Sequence, residues 1–190
     1  MPDDSTVRLD ARAVQVLAHP LRSRLLSALR RGESSTATAL AHELGTNSGA
    51  TSYHLRKLAS VGLVVDTGEG EGRQRVWRAA SSSHSWEASD FAGDENAATA
   101  LNWLMRDYLS QLVTRYQQWL DVEDTWPAEW RDATSLDDEV LDLTAVQLTQ
   151  LRAEVQAVID RYRGAGTGEP SARAVAIHHV AYPRDLRTDA

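Results

Sequence analysis

Leu21, Leu25, Ala28 and Leu29 recur at intervals of three and four, the spacing that gathers apolar side chains on one face of a helix. The pattern predicts a helix that starts near Pro20, where a first turn tolerates a missing N–H, and stops at Gly32, with Arg22, Arg30 and Arg31 turned outward. Asp10 can cap a shorter helix ahead of it, ending at Leu17. Ser35 or Thr36 caps a third, with the stripe Ala37, Leu40, Ala41 and Leu44, closed by Gly45. A fourth begins at Asn47 and ends at Gly62, so two helices flank a tight glycine turn within about 25 residues, as a helix-turn-helix requires. Two strand-like runs follow, Leu63–Val65 and Arg73–Trp77. Between them Thr67-Gly68-Glu69-Gly70-Glu71-Gly72 reads as the mobile tip of a hairpin, a wing.

Periodicity stops at Ala79-Ala80-Ser81-Ser82-Ser83-His84-Ser85, which reads as a linker. It resumes over Ala97–Leu120, whose Leu101, Leu104, Met105, Tyr108, Leu112, Tyr116 and Trp119 mark a long amphipathic helix. Thr144 caps a further helix with Leu148, Leu151, Val155, Val158, Ile159 and Tyr162. Leu136–Leu143 and Arg173–Tyr182 alternate as strands do, and are expected to pair antiparallel across that helix. The expected fold is therefore α+β. A winged helix-turn-helix occupies residues 1–80, a linker 81–95, and an α+β domain for dimerisation and effector binding 96–190.

Charge changes this picture. The net charge of −7 argues against a polyanionic partner, but residues 1–80 carry 11 Arg and Lys against 8 Asp and Glu, while the remainder carries 9 against 19. The first half can approach DNA; the acidic second half should be held away from it. Apolar residues at 42% and charged residues at 25% fit a folded chain. The absence of cysteine removes disulfides, thiolate metal sites and cysteine nucleophiles. The acidic start Met1-Pro2-Asp3-Asp4 and the lack of a long apolar run give a cytoplasmic protein without membrane contact as the expectation.

Projected at about 100° per residue, the fourth helix separates two arcs. Asn47, Thr51, His54, Leu55 and Leu58 face the core, so His54 reads as a packing residue. Ser48, Gly49, Ser52, Tyr53 and Arg56, with Lys57 at the edge, form a polar, basic arc able to meet base edges in the major groove. Arg22, Arg56, Lys57 and the wing residues Arg73 and Arg75 are placed for phosphate. Five of the six tryptophans follow residue 80. Trp103, Tyr108, Trp119, Trp126 and Trp130 either line a pocket for a small apolar or aromatic effector or fill a core and dimer seam. No phosphate loop, serine-histidine-acid set or metalloprotease pattern appears, so no enzyme is expected. His178 and His179 point to opposite faces of a strand and Asp137-Asp138-Glu139 lacks further ligands, so no metal and no cofactor are expected.

Leu17-Ala18-His19-Pro20-Leu21-Arg22-Ser23-Arg24-Leu25-Leu26, Ala41-His42-Glu43-Leu44-Gly45, Ser52-Tyr53-His54-Leu55-Arg56-Lys57-Leu58 and Gly62-Leu63-Val64 together resemble the ArsR-type winged-helix regulators of bacteria, over residues 10–80. That resemblance implies a homodimer that binds an operator in double-stranded DNA through two recognition helices and controls transcription, usually as a repressor relieved by an effector. By position, Ser48, Gly49, Ser52 and Tyr53 match the base-reading residues of the family and the wing arginines its phosphate or minor-groove contacts. The metal-sensing members' cysteine pair and paired His/Asp ligands are missing. The alternative is a winged-helix module that has lost DNA binding and holds a protein partner, which Glu69 and Glu71 in the wing would favour.

Overall fold

The structure is a computed structural model that describes residues 3–32, 34–72 and 74–185. It divides into two compact units, residues 1–117 and 118–190.

In the first unit β1 (Asp3–Arg8) precedes α1 (Ala11–Leu17) and α2 (Pro20–Arg31). The carboxylate of Asp10 accepts from the Ala13 N–H at 2.7 Å, and Pro20 opens α2, as the sequence requires. After β2 (Ser35–Thr36) come α3 (Ala37–Glu43) and α4 (Ser48–Ala59), capped by Thr36 and Asn47 whose side chains accept from Ala39 N at 3.1 Å and Ala50 N at 2.8 Å. Gly45, at φ 64°, makes the turn between α3 and α4, in a backbone region that other residues enter at a cost. The strands β3 (Val64–Asp66) and β4 (Val76–Ala79) pair antiparallel, and β2 joins the outer side of β4 in the order β2-β4-β3.

One core joins these elements. Val14 and Leu17 of α1, Leu25, Leu26 and Leu29 of α2, Leu40 of α3, Leu55 and Leu58 of α4, and Trp77 of β4 are buried together. Each leucine cut to alanine here would cost about 2–5 kcal/mol. Ala97, Leu101 and Leu104 of α5 (Glu95–Leu120) complete the same cluster, so the start of the long helix belongs to the first unit. Polar ties reinforce the packing. Ser23 of α2 donates to Asp107 of α5 at 2.6 Å and Arg115 donates to Ser27 at 2.9 Å.

Residues 81–95, read above as a linker, carry β5 (Ser81–Ser85), which pairs in parallel with β1, and a 3-10 turn over Ala88–Phe91 that buries Phe91. Neither strand has a hydrophobic pattern to announce it. Their register comes from backbone hydrogen bonds, the Thr6–Ser83 hydroxyl pair at 2.6 Å and the forked contact of Arg8 with Asp90. The compact units accordingly meet in sequence near residue 117, well past the serine run.

The second unit contains α6 (Ala128–Asp132) and α7 (Ala145–Arg161). Thr144 and Gln147 form a reciprocal capping box at the start of α7. The expected strands over Leu136–Leu143 and Arg173–Tyr182 do not form: both segments lack regular structure and no ladder joins them. Alternation fixes a strand only where one face is buried, whereas here Leu136 and Val140 are exposed, as are Val175, Ile177 and Val180. The α+β description therefore rests on the first unit, and the second is helical with irregular connections among the described residues. No helix is long and apolar enough to cross a membrane among those residues.

Candidate nucleic-acid interface

Helix α4 presents two chemically distinct sides. Thr51, Leu55 and Leu58 are fully buried, and Thr51 also donates its hydroxyl to the Asn47 carbonyl at 3.0 Å. Ser48, Gly49, Tyr53, Arg56 and Lys57 are exposed, Tyr53 at 49%, while Ser52 is half-buried. The split follows from period: 51, 55 and 58 stack on one side of a 3.6-residue helix, and 49, 53, 56 and 57 take the other. Asn47, assigned to the core arc, is exposed because its side chain is occupied with the helix cap. Lys57 lies 5.7 Å from the Tyr53 ring centroid, a cation–π contact that holds both side chains over the outer face.

His54 sits at the border of the two arcs and is half-buried. Its ring lies 4.4 Å from that of His19 and edge-on to Tyr53 at 5.2 Å. Burial lowers the pKa of both histidines, and the nearby Arg22 guanidinium adds to it. Nδ1 of His19 accepts from the Leu21 N–H at 3.1 Å and thereby caps α2. Arg22 is half-buried, and its Nε, like Nδ1 of His54, has no hydrogen-bond partner. The sequence placed His54 in the core; it did not show that His19 reaches across to it, because the two are 35 positions apart.

The β3–β4 hairpin follows α4 in the chain, with Glu69, Glu71, Gln74 and Arg75 exposed between its strands. A Cβ on Gly70 would fall 1.9 Å from the Gln74 carbonyl oxygen, so the tip closes only on glycine. Arg75 pairs with Asp66 at 3.5 Å and lies 6.0 Å from the Trp77 ring. Arg73 lies outside the described residues.

The five aromatic residues assigned to an effector fall into two groups. Trp103 and Tyr108 pack against the core of the first unit. Trp119, Trp126 and Trp130 form an edge-to-face row in the second, with centroids 5.4 and 6.1 Å apart. Tyr108 is already engaged. Its hydroxyl meets Nε2 of His84 at 2.9 Å, Nδ1 of His84 meets the Arg30 guanidinium, and Arg30 donates to the Ser81 carbonyl at 3.1 Å. Because arginine only donates, Nδ1 of His84 accepts and Nε2–H donates to Tyr108. Burial together with Arg30 pushes His84 down to about 3, and burial brings Arg30 down to about 10 and raises Tyr108. No group of three or more His, Asp or Glu able to hold a metal ion occurs among the described residues.

A family profile described as a helix-turn-helix domain matches residues 17–67, from the end of α1 to the close of β3. The match covers α2, α3 and α4, the elements whose packing sets out the polar arc, and supports a DNA-binding helix-turn-helix domain. A search of curated proteins gave no match to the chain.

Proposed function

We propose that the chain is a sequence-specific DNA-binding transcriptional regulator of the winged helix-turn-helix, ArsR-like kind, acting on its operator as a homodimer and as a repressor. The observation that carries this reading is the exposed arc of α4, with Ser48, Gly49, Tyr53, Arg56 and Lys57 outward while Thr51, Leu55 and Leu58 anchor the helix from behind. Hydroxyls at that position can donate to and accept from base edges, and the cationic end of the helix supplies phosphate contacts. The β3–β4 hairpin serves as the wing and Arg75 as its phosphate or minor-groove contact, released from Asp66 as DNA replaces the exposed carboxylate.

Dimerisation is assigned to α5, which carries Met105, Leu109 and Val113 exposed at intervals of four, beside the face that packs on the core. A second copy across a two-fold axis would set two α4 helices about 34 Å apart, one turn of duplex. The tryptophan row Trp119–Trp126–Trp130, its rings set edge to face, supplies apolar surface for a small aromatic effector.

A mobility-shift titration tests the reading. Binding should weaken steeply with added salt. Tyr53→Ala should relax base preference by about 1–3 kcal/mol, and Arg75→Ala should weaken binding to all sequences and flatten the salt slope. Unchanged binding in both variants would remove the assignment. The rival reading, a protein-interaction module, is favoured by one observation: the hairpin tip exposes Glu69 and Glu71, and its Arg75 is held by Asp66. A shift insensitive to salt, or none at all, would leave that rival standing.

A further inference from the structure

Two rows of polar side chains meet between α2 and α5. Ser23, Ser27 and Arg31 recur every four residues on α2, and Asp107, Gln111 and Arg115 do the same on α5. Side chains four apart form a ridge along a helix, and such ridges interdigitate where two helices pack. Here the ridges are also joined by hydrogen bonds. The Ser23 hydroxyl donates to Oδ2 of Asp107 at 2.6 Å, and the Gln111 amide donates to the same oxygen at 2.6 Å and to the Ser23 hydroxyl at 3.2 Å. One turn further on, Arg115 donates to the Ser27 hydroxyl at 2.9 Å and to the Gln111 side-chain oxygen at 3.3 Å.

The same side of α2 leads on to the turn that aims the reading helix. Ser27 accepts a second bond, from Arg31 at 3.2 Å, and Arg31 reaches Glu43 of α3 at 3.1 Å. Arg24 donates to the Leu44 carbonyl at 3.2 Å, one residue before Gly45. Side chains of α2 thus bond both α5 and the end of α3.

Energetics indicate what the α2–α5 bonds contribute. Ser23 is 2% exposed and Asp107 is half-buried. A hydroxyl–carboxylate bond in such a place returns little net stability over an apolar pair of similar shape, because both groups give up water. What it adds is register: apolar packing is non-directional and tolerates sliding, whereas a bond of this length is lost on a shift of an ångström or two.

Positions two apart on a helix point about 200° from one another. The row Asp107, Gln111 and Arg115 therefore lies across α5 from the exposed stripe Met105, Leu109 and Val113. One side of α5 is assigned above to a second copy, and the other is fastened to α2. In such a dimer the α2–α5 joint sets how far each reading helix stands from the two-fold axis.

We propose that Asp107 is a positioning residue: its bond to Ser23 fixes the register of α5 on α2 and thereby selects the spacing of the two half-sites that the dimer accepts. This rests on the homodimeric DNA-binding reading above.

The full-length chain is used to select bound duplexes from a pool carrying about 40 random base pairs, room for two half-sites one or two turns apart. The wild-type chain should enrich a two-part motif with a single spacing. Changing that spacing by one base pair turns the second half-site by about 35° and moves it by about 3.4 Å. Wild-type affinity should then fall about tenfold, as simultaneous engagement is lost. The double variant Ser23→Ala/Asp107→Leu replaces the bonded pair by apolar side chains. It should enrich the same half-site motif and bind a single half-site as tightly as the wild type, while holding the shifted duplexes within about twofold of the best one. Asp107→Asn, whose side-chain oxygen still accepts from Ser23, should keep the wild-type spacing, and a loss of selectivity there overturns the assignment to the bond. Where circular dichroism shows that the double variant does not fold, Arg115→Met, which cuts the last bonds of the row, is read in the same way. A variant that keeps the wild-type preference for one spacing overturns the positioning role and leaves the DNA-binding reading intact. Enrichment of a lone half-site by the wild-type chain overturns the dimer and the positioning role together, and enrichment of no motif overturns sequence-specific binding as well.

Discussion

Gly49 occupies an exposed position one residue into α4, where glycine costs a helix about 1 kcal/mol relative to alanine. Nothing inside the chain demands it: an added Cβ would meet only Asn47 Oδ1, at 3.4 Å, and its φ is not in the left-handed region. If the missing side chain serves close approach to a duplex, stability and binding must move in opposite directions. Gly49→Ala is expected to raise the urea midpoint, by about 0.5–1 kcal/mol in free energy, while weakening duplex binding. A variant that gains in both would show that Gly49 does not lie against DNA. The arcs of α4 were legible residue by residue because burial of Thr51, Leu55 and Leu58 follows from helical period alone. Ser52 lies on the polar arc yet is half-buried, and the orphaned nitrogens of Arg22 and His54 are invisible to sequence, since they depend on packing between helices that no local pattern encodes.

At the scale of elements, the least legible part of the fold is the strand pair β1–β5, whose serines and charges resemble a linker. What fixes β5 is Arg30 of α2, bonded to Ser81 and His84, with His84 passing the contact on to Tyr108 of α5. That chain requires His84 to be neutral, and its pKa in the folded state is about 3 against an ordinary 6.5. The unfolded chain therefore takes up the proton first as pH falls. Its contribution to stability is complete above about pH 6.5 and declines toward pH 3, at up to ~1.4 kcal/mol per pH unit, an upper bound because the ring keeps some exposure. His19 and His54, also lowered, act in the same direction. Urea unfolding between about pH 7 and 5, above the range in which carboxylates titrate, should show stability falling with pH. His84→Gln should reduce that slope, and an unchanged slope would mean that His84 is charged in the folded chain.

For the molecule as a whole, helices read from periodicity formed where expected, down to the Thr144 cap that opens α7, while the two C-terminal strands did not. Periodicity reports which side chains share a face but not whether anything covers it. The exposed apolar residues of this chain are the place where that distinction has consequences. Met105, Leu109 and Val113 line one side of α5 within the first unit, each about half exposed, with Leu112 and Tyr116 half-buried beside them. A stripe of this length on an isolated chain exposes apolar surface that association would remove from water, at about 25 cal/mol per Å². On the homodimer reading proposed above, the occupant is the same stripe on a second copy, since a two-fold axis makes one face complementary to itself.

Leu109→Arg puts a charge in the middle of that stripe without touching the buried face of Leu101 and Leu104. The wild-type chain is expected to sediment as a dimer at micromolar concentration and Leu109→Arg as a monomer with an unchanged circular-dichroism spectrum. The two differ again on DNA. A dimer holds its second reading helix at high local concentration once the first has docked, so losing the interface should lower affinity for a two-half-site duplex by a factor of about 100 or more, while binding to a single half-site changes little. A wild-type monomer at micromolar concentration would remove α5 as the dimer seam, as would a Leu109→Arg chain that still sediments as a dimer.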